Sequence, residues 1–178
     1  MLITASRNMK GSLKPFNSKN YSINDIKGKT AFRNFLNSLH KNGNRTIDNP
    51  NQYGIDLLTL NPSGVVVKAW EIEVRENNWT GNRTFPHELV NCIERKEYLW
   101  RREQEFYDKI PLEVDKACEV LYVQLNDLCT RAVIIPGSIV LKCRLKPWDN
   151  SYCSGEYVRQ VPLSKTIQVN LVTTKVVN

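Results

Sequence analysis

Two apolar segments dominate the pattern of the chain, Gly54-Ile-Asp-Leu-Leu-Thr-Leu60 and Val65-Val-Val-Lys-Ala-Trp-Glu-Ile-Glu-Val74, separated by Asn61-Pro-Ser-Gly64. Asn, Pro, Ser and Gly in succession are turn chemistry, so the segments read as the strands of a β-hairpin with a four-residue loop. Apolar residues fall on both faces of each strand, which suits a central hairpin covered on both sides rather than a surface ribbon. Upstream, Phe32, Phe35, Leu36 and Leu39 recur at helical spacing, and Thr30 as N-cap predicts a helix from Ala31 to about His40 that Gly43 stops. Residues 1–29 are polar, punctuated by Gly11, Pro15 and Gly28 and studded with lysines, and read as an N-terminal arm or covering segment.

Downstream, residues 75–88 form a loop around Trp79, Gly81 and Pro86. Leu89 to Ile93 reads as a short strand followed by a helix from Glu94 to about Tyr107, with one continuous helix as the alternative. Cys118 to Leu125 and Arg131 to Ile135 read as strands around an Asn126-Asp127 turn, and Glu156 to Val161 and Thr166 to Val172 as two more around Pro162. No repeat and no dividing linker interrupts this order. The fold class is therefore α/β in the α+β sense, a central mixed β-sheet flanked by helices, with 1–178 as a single domain.

Asp56, Glu71 and Glu73 interrupt these apolar strands, where an unpaired carboxylate costs several kcal/mol. With a loop of Asn61 to Gly64, Leu60 pairs with Val65, Leu58 with Val67 and Asp56 with Ala69, and the period-two alternation puts all three acids on one face. Glu71 then lies diagonally from Asp56 at about 7–8 Å between backbones, a gap that two carboxylates span around a divalent cation. Clustered acids repel unless a cation or shared protons neutralise them, and oxygen-only ligands select Mg²⁺ or Mn²⁺ over zinc. Trp70 and Lys68 fall on the opposite face, Trp70 as core.

Composition narrows the functional classes. The 178 residues are 41% hydrophobic and 24% charged, with a net charge of +7, which describes an ordinary globular chain with room for a polyanionic partner. No run reaches the ~18 apolar residues of a membrane span, and no secretory signal opens the chain, so the expectation is a soluble, cytoplasmic protein without membrane contact. Five cysteines with no CxxC pair argue against a disulfide framework or a structural zinc site. Phosphate-binding GxxxxGK[ST] and GxGxxG loops are absent, and neither His40 nor His87 has a partner at metal-ligand spacing. Trp79 and Trp148 sit in loops beside charges, where packing or base stacking is open to them. Lys142, Arg144 and Lys146 alternate with Cys143 and Leu145 as on the exposed face of an edge strand.

Gly54-Ile-Asp56-Leu and Trp70-Glu71-Ile-Glu73-Val, within residues 30–135, resemble the two motifs of the PD-(D/E)xK nuclease superfamily, whose restriction-endonuclease-like core is a helix, an acid-bearing β-hairpin, and a further helix and strand. The resemblance implies that Asp56, Glu71 and the Ile72 carbonyl hold Mg²⁺ or Mn²⁺. Glu73 stands where that family usually has Lys and would orient or activate water. Ile93-Glu-Arg95-Lys96-Glu-Tyr98 resembles a basic pair opening the helix after the hairpin in some small members. That likeness implies Lys96 as a migrated catalytic lysine and Arg95 as a phosphate contact, set against a plain solvated helix face. Arg45, Arg75, Arg83, Arg101 and Arg102 are further candidate contacts to DNA. The implied activity is divalent-metal-dependent hydrolysis of duplex or branched DNA, carried out by a homodimer that cuts both strands. The alternative is a noncatalytic nucleic-acid- or protein-binding domain on the same scaffold, which the missing motif Lys favours.

Overall fold

The hairpin forms the middle of the molecule. In the computed structural model, which describes residues 18–51, 54–76, 78–94, 118–148 and 156–172, its strands are β2 (Leu57–Leu60) and β3 (Val66–Arg75). Before it come helix α1 (Ser18–Leu39) and strand β1 (Arg45–Asp48), and after it strand β4 (Leu89–Ile93). The second half holds β5 (Glu119–Asn126), β6 (Arg131–Pro136), helix α2 (Gly137–Lys142), β7 (Leu145–Trp148), β8 (Glu156–Pro162) and β9 (Ile167–Asn170). The expected helix after Glu94 falls on residues 95–117, outside the described residues.

The described strands make two sheets. A six-stranded mixed sheet has the order β1-β2-β3-β5-β6-β9, and a three-stranded sheet the order β4-β8-β7. In the large sheet β3 pairs antiparallel with β2 and parallel with β5, and all other pairs are antiparallel. The mixed α+β class expected from the pattern is the one observed. The two strands read around Pro162 do not pair with each other: β8 joins the small sheet, a 3₁₀ turn over Leu163–Lys165 intervenes, and β9 pairs with β6.

Helix α1 differs most from expectation. It begins at Ser18, so Thr30 lies inside it, and Gly28 is an interior helical residue. A β-carbon at Gly28 would lie 2.6 Å from Val74 Cγ2 and 3.3 Å from Leu125 Cδ1. That glycine lets the helix backbone approach the sheet, and the breaker read from sequence is a packing device. Gly43, at φ 74°, follows the end of the helix as expected.

Alternation along β3 and β5 divides the interior in two. Toward α1 point Trp70, Ile72, Leu121, Val123 and Leu125, packed with Phe32 and Leu36. Trp70 meets Phe32 edge-on at 5.3 Å between centroids and donates its indole N–H to Thr59 Oγ1. Toward the small sheet point Ala69 and Tyr122, which pack with Val90, Cys92, Val133, Ile135 and Val161. Trp79 belongs to this second core, buried against Phe85 and donating its indole N–H to the Arg83 carbonyl, so packing is its role. Cys92, Cys118 and Cys129 are buried. No helix among the described residues is long and apolar enough to cross a membrane.

Candidate functional site

The hairpin register carries a β-bulge. Leu60 pairs with Val66, and after a shift between Thr59 and Leu60 the pairs become Thr59 with Lys68, Leu58 with Ala69 and Leu57 with Trp70. The loop geometry explains the first displacement: Asn61 N–H bonds the Val65 carbonyl and Asn61 Oδ1 accepts from Val65 N–H, which keeps Val65 inside the turn. Two single-residue displacements restore the original parity. The pairs are therefore corrected by two positions, from Leu58 with Val67 to Leu58 with Ala69, while Leu58 keeps its face.

Strand β2 begins only after Asp56. There Ile55 joins the same apolar cluster as Leu58, and the Asp56 carboxylate takes over a ladder position: its Oδ2 accepts the Ile72 backbone N–H at 2.8 Å. This fixes Asp56 against the peptide that links Glu71 to Glu73. The residue of α1 that reaches it is Lys29, with Nζ 3.7 Å from Asp56 Oδ1 and 2.6 Å from Asp25 Oδ2 one helical turn back. Burial pushes the Lys29 pKa down, and the hydrogen bond to Asp25 with the charges of Asp56, Asp25 and Asp48 more than reverses this, leaving it above its ordinary value.

Glu71 and Glu73 project to the other side of β3, level with Tyr122 and Gln124 of β5, so the three acids do not share one face as the alternation predicted: Asp56 precedes β2 and turns to the Ile72 N–H and Lys29. Glu71 is 1% exposed. Glu73 accepts a hydrogen bond from the Tyr122 hydroxyl and lies 3.3 Å from Arg75 Nη1. Arg75 therefore turns inward, against the expectation of a surface phosphate contact: its side chain is 12% exposed, and Nη2 donates to the Asn91 carbonyl at 2.6 Å. Arg45 and Arg83 remain exposed, Arg45 on the edge strand β1 and Arg83 in the loop after β3. Lys96 and Arg95, like Arg101 and Arg102, lie outside the described residues. Lys142 ends α2, and Lys146 sits on β7 at the edge of the small sheet.

Among the described residues no group of three His, Cys, Asp or Glu side chains is placed to hold a metal ion. The structure gathers Asp56 to the Glu71–Ile72 peptide and joins Glu73 to Arg75, while the Ile72 group that Asp56 engages is its N–H. Sequence reasoning missed Lys29, which lay in the presumed arm; the i to i+4 spacing of Asp25 and Lys29 on a helix was its available signal.

From Glu73 a polar seam runs between the sheets. The Asn91 carbonyl accepts from both Arg75 and Gln124 Nε2, the latter at 2.7 Å, and Asn91 Oδ1 accepts from Gln160 Nε2 at 3.2 Å. Gln124 is fully buried, and its Oε1 has no hydrogen-bond partner among the described residues, a state that costs about 1–3 kcal/mol. The seam opens into a cavity of about 670 Å³ walled by Arg75, Asn91, Gln124, Gln160, Trp148 and the Phe85 to Leu89 stretch. No family model, curated protein or solved structure matches the chain.

Proposed function

We propose that the protein is a divalent-metal-dependent endonuclease of the PD-(D/E)xK type acting on DNA, with its reactive acids at the base of the β2–β3 hairpin. The observation that carries this reading is the Asp56 bond to the Ile72 N–H, which ties the aspartate of one strand to the Glu71-Ile72-Glu73 stretch of the other. The element order supports it: helix α1 precedes the β2–β3 hairpin and a later strand, β5, pairs parallel with β3, in keeping with the helix, hairpin and later strand of the resemblance. The donor set suits a hard cation, since Asp56 and Glu71 offer oxygens alone. Asp56 would hold Mg²⁺ or Mn²⁺, which when bound supplies charge to polarise a phosphate and acidify a water, and Glu71 would join it only by turning from the side of β3 on which it is buried. Glu73, oriented by Tyr122 and Arg75, would position the attacking water. Lys29, beside Asp56, supplies a fixed positive charge for the developing phosphate anion where the motif Lys is missing. Homodimerisation, with one site per strand, and a cytoplasmic location belong to the same proposal.

Supercoiled plasmid and a branched DNA junction, incubated with Mg²⁺ or Mn²⁺, test it. Cutting should require the metal and fall at least about 100-fold in Glu71→Ala and in Asp56→Ala. Cutting that survives both substitutions would sink the assignment. A second reading, a noncatalytic DNA-binding scaffold, is favoured by the protein cations already beside the acids, Lys29 at Asp56 and Arg75 at Glu73. Binding of the junction without cutting in either metal selects it.

A further inference from the structure

Where helix α1 ends, a line of hydrogen bonds runs from the surface to β3. His40 Nε2 lies 2.9 Å from Thr46 Oγ1 on β1, Thr46 Oγ1 lies 2.9 Å from Thr59 Oγ1 on β2, and the Trp70 indole N–H of β3 donates to Thr59 Oγ1 at 2.8 Å. Thr46 and Thr59 are cross-strand partners and both are buried, whereas His40 is half-buried and within reach of solvent. Asn37 of α1 clamps the Thr46 backbone, its Oδ1 accepting the N–H at 2.7 Å and its Nδ2 donating to the carbonyl at 3.1 Å. Thr46 therefore keeps its place, and what the line transmits is the direction of its hydroxyl protons.

Counting protons gives that direction. The Trp70 indole nitrogen is a donor only, and each threonine hydroxyl has one proton to place. With Trp70 bonded to Thr59, the Thr59 proton goes to Thr46 Oγ1 and the Thr46 proton to His40 Nε2, so that three protons meet three acceptors. The imidazole is then neutral, with its own proton on Nδ1. A charged His40 donates from both ring nitrogens, so four protons share the same three contacts and one buried hydroxyl is left without an acceptor among the described residues. We propose that His40 is a proton sensor. Neutral, it ends the line as the acceptor at Nε2; protonated, it becomes a donor there and turns the line around, so that its charge is felt at the Trp70 indole, which packs on Phe32 of α1. The charged groups on the surrounding elements are Arg33 of α1 and Asp48 of β1, paired with each other, and Lys68 of β3, 3.3 Å from Glu119 of β5 and 5.8 Å from the Trp70 ring centroid, with Lys41 and Arg45 exposed beside them. None of them is bonded to His40, Thr46 or Thr59 among the described residues. The relay is independent of the chemistry proposed for the acids.

The test uses the full chain labelled with ¹⁵N, with the His40 ring nitrogens and the Trp70 indole N–H followed through a pH titration. At its alkaline end, Nδ1 of His40 should carry the proton and Nε2 none. As pH falls, the Trp70 indole signal should shift in one step with the midpoint of the His40 ring. That step should vanish in His40→Gln and in Thr46→Val, which takes away the relaying hydroxyl. It should survive in Thr46→Ser, which keeps that hydroxyl, and in His87→Gln, which removes the other histidine of the chain. A neutral His40 with its proton on Nε2, or a Trp70 signal that stays in place while His40 titrates, would overturn the sensor, and both are read on the unaltered chain. A Trp70 step unchanged in Thr46→Val would overturn it as well, since the charge would then act through space rather than along the hydroxyls. Where Thr46→Val does not fold, Thr59→Val breaks the same line and is read in the same way.

Discussion

On the α1 side of β3, Trp70, Ile72 and Val74 meet Phe32, Leu36 and Gly28, whereas on the other side Glu71, Glu73 and Arg75 lie level with or bonded to Tyr122, Gln124 and Asn91. Both faces are covered, so solvent exposure does not separate them. The apolar face gains from every group removed from water, through a non-directional effect proportional to area. The polar face recovers desolvation cost only where each donor finds its acceptor. A strand with such unlike faces holds its acids in place through the rigidity of its apolar one. The two faces should therefore fail differently under substitution.

The largest effect is expected on the apolar face. Phe32 is fully buried, and Phe32→Ala should lower unfolding free energy by about 3–5 kcal/mol, measured by urea denaturation. A loss below about 1 kcal/mol would mean that α1 is not anchored through this ring.

Across the strand, Arg75→Met removes the cation from Glu73 and a donor from Asn91, for a cost of roughly 2 kcal/mol. The contrast sharpens in the double variant Arg75→Met with Glu73→Leu, where no charge is left unpaired and much of the loss should return. A cavity variant on the apolar face has no such second-site remedy through charge. Strictly additive losses in that double-mutant cycle would show that the pair does not act as a unit.

Gly28→Ala probes the same boundary through space alone. Helix propensity favours alanine by up to about 1 kcal/mol, but the added carbon would meet Val74 Cγ2 at 2.6 Å. Overpacking should win, with a net loss of about 1–2 kcal/mol. In a Val74→Ala background the 2.6 Å obstruction is gone and only the milder 3.3 Å approach to Leu125 Cδ1 remains, so Gly28→Ala should become neutral or stabilising. If its sign is the same in both backgrounds, the close approach is not what requires glycine.

The sequence made the hairpin legible because Asn61-Pro-Ser-Gly64 states its own turn chemistry, and strands β5 and β6 were legible from their dense branched residues. The division into two sheets was not. Leu89 to Ile93 and Glu156 to Val161 look like any half-buried strands, and which partner each takes is decided by long-range packing that local pattern does not encode. Gly28 misled because a glycine that ends a helix and one that admits a neighbour are the same letter. At the site, period-two alternation along one strand placed Glu71 and Glu73 together whatever the register, whereas Asp56 does not share their face, because β2 begins only after it and its carboxylate turns to the Ile72 N–H and Lys29. Arg75 read as a surface charge because nothing in the string says that Glu73 and the Asn91 carbonyl wait beneath it. Lys29 was hidden by the same error that shortened α1.

The smallest expected effect concerns pH, and it falls on the α1 side. Lys29 has a raised pKa in the fold, from its acidic neighbours acting against burial, and burial pushes the Cys129 thiol up as well. For a group whose folded pKa exceeds its unfolded value, the stabilisation is complete below the unfolded pKa and is lost as pH rises through the folded one. The ordinary thiol value near 8.5 and the ordinary lysine value near 10.4 open two separate windows. Stability should thus decline in two steps, the first beginning near pH 8.5 from Cys129 and the second above about pH 10.4 from Lys29. Cys129→Ala should flatten the first step alone and Lys29→Met the second alone, read as the slope of unfolding free energy against pH relative to wild type. A second step unchanged in Lys29→Met would mean that Lys29 does not bridge α1 to Asp56 in solution. The positive charge assigned to phosphate stabilisation would then have to come from another residue.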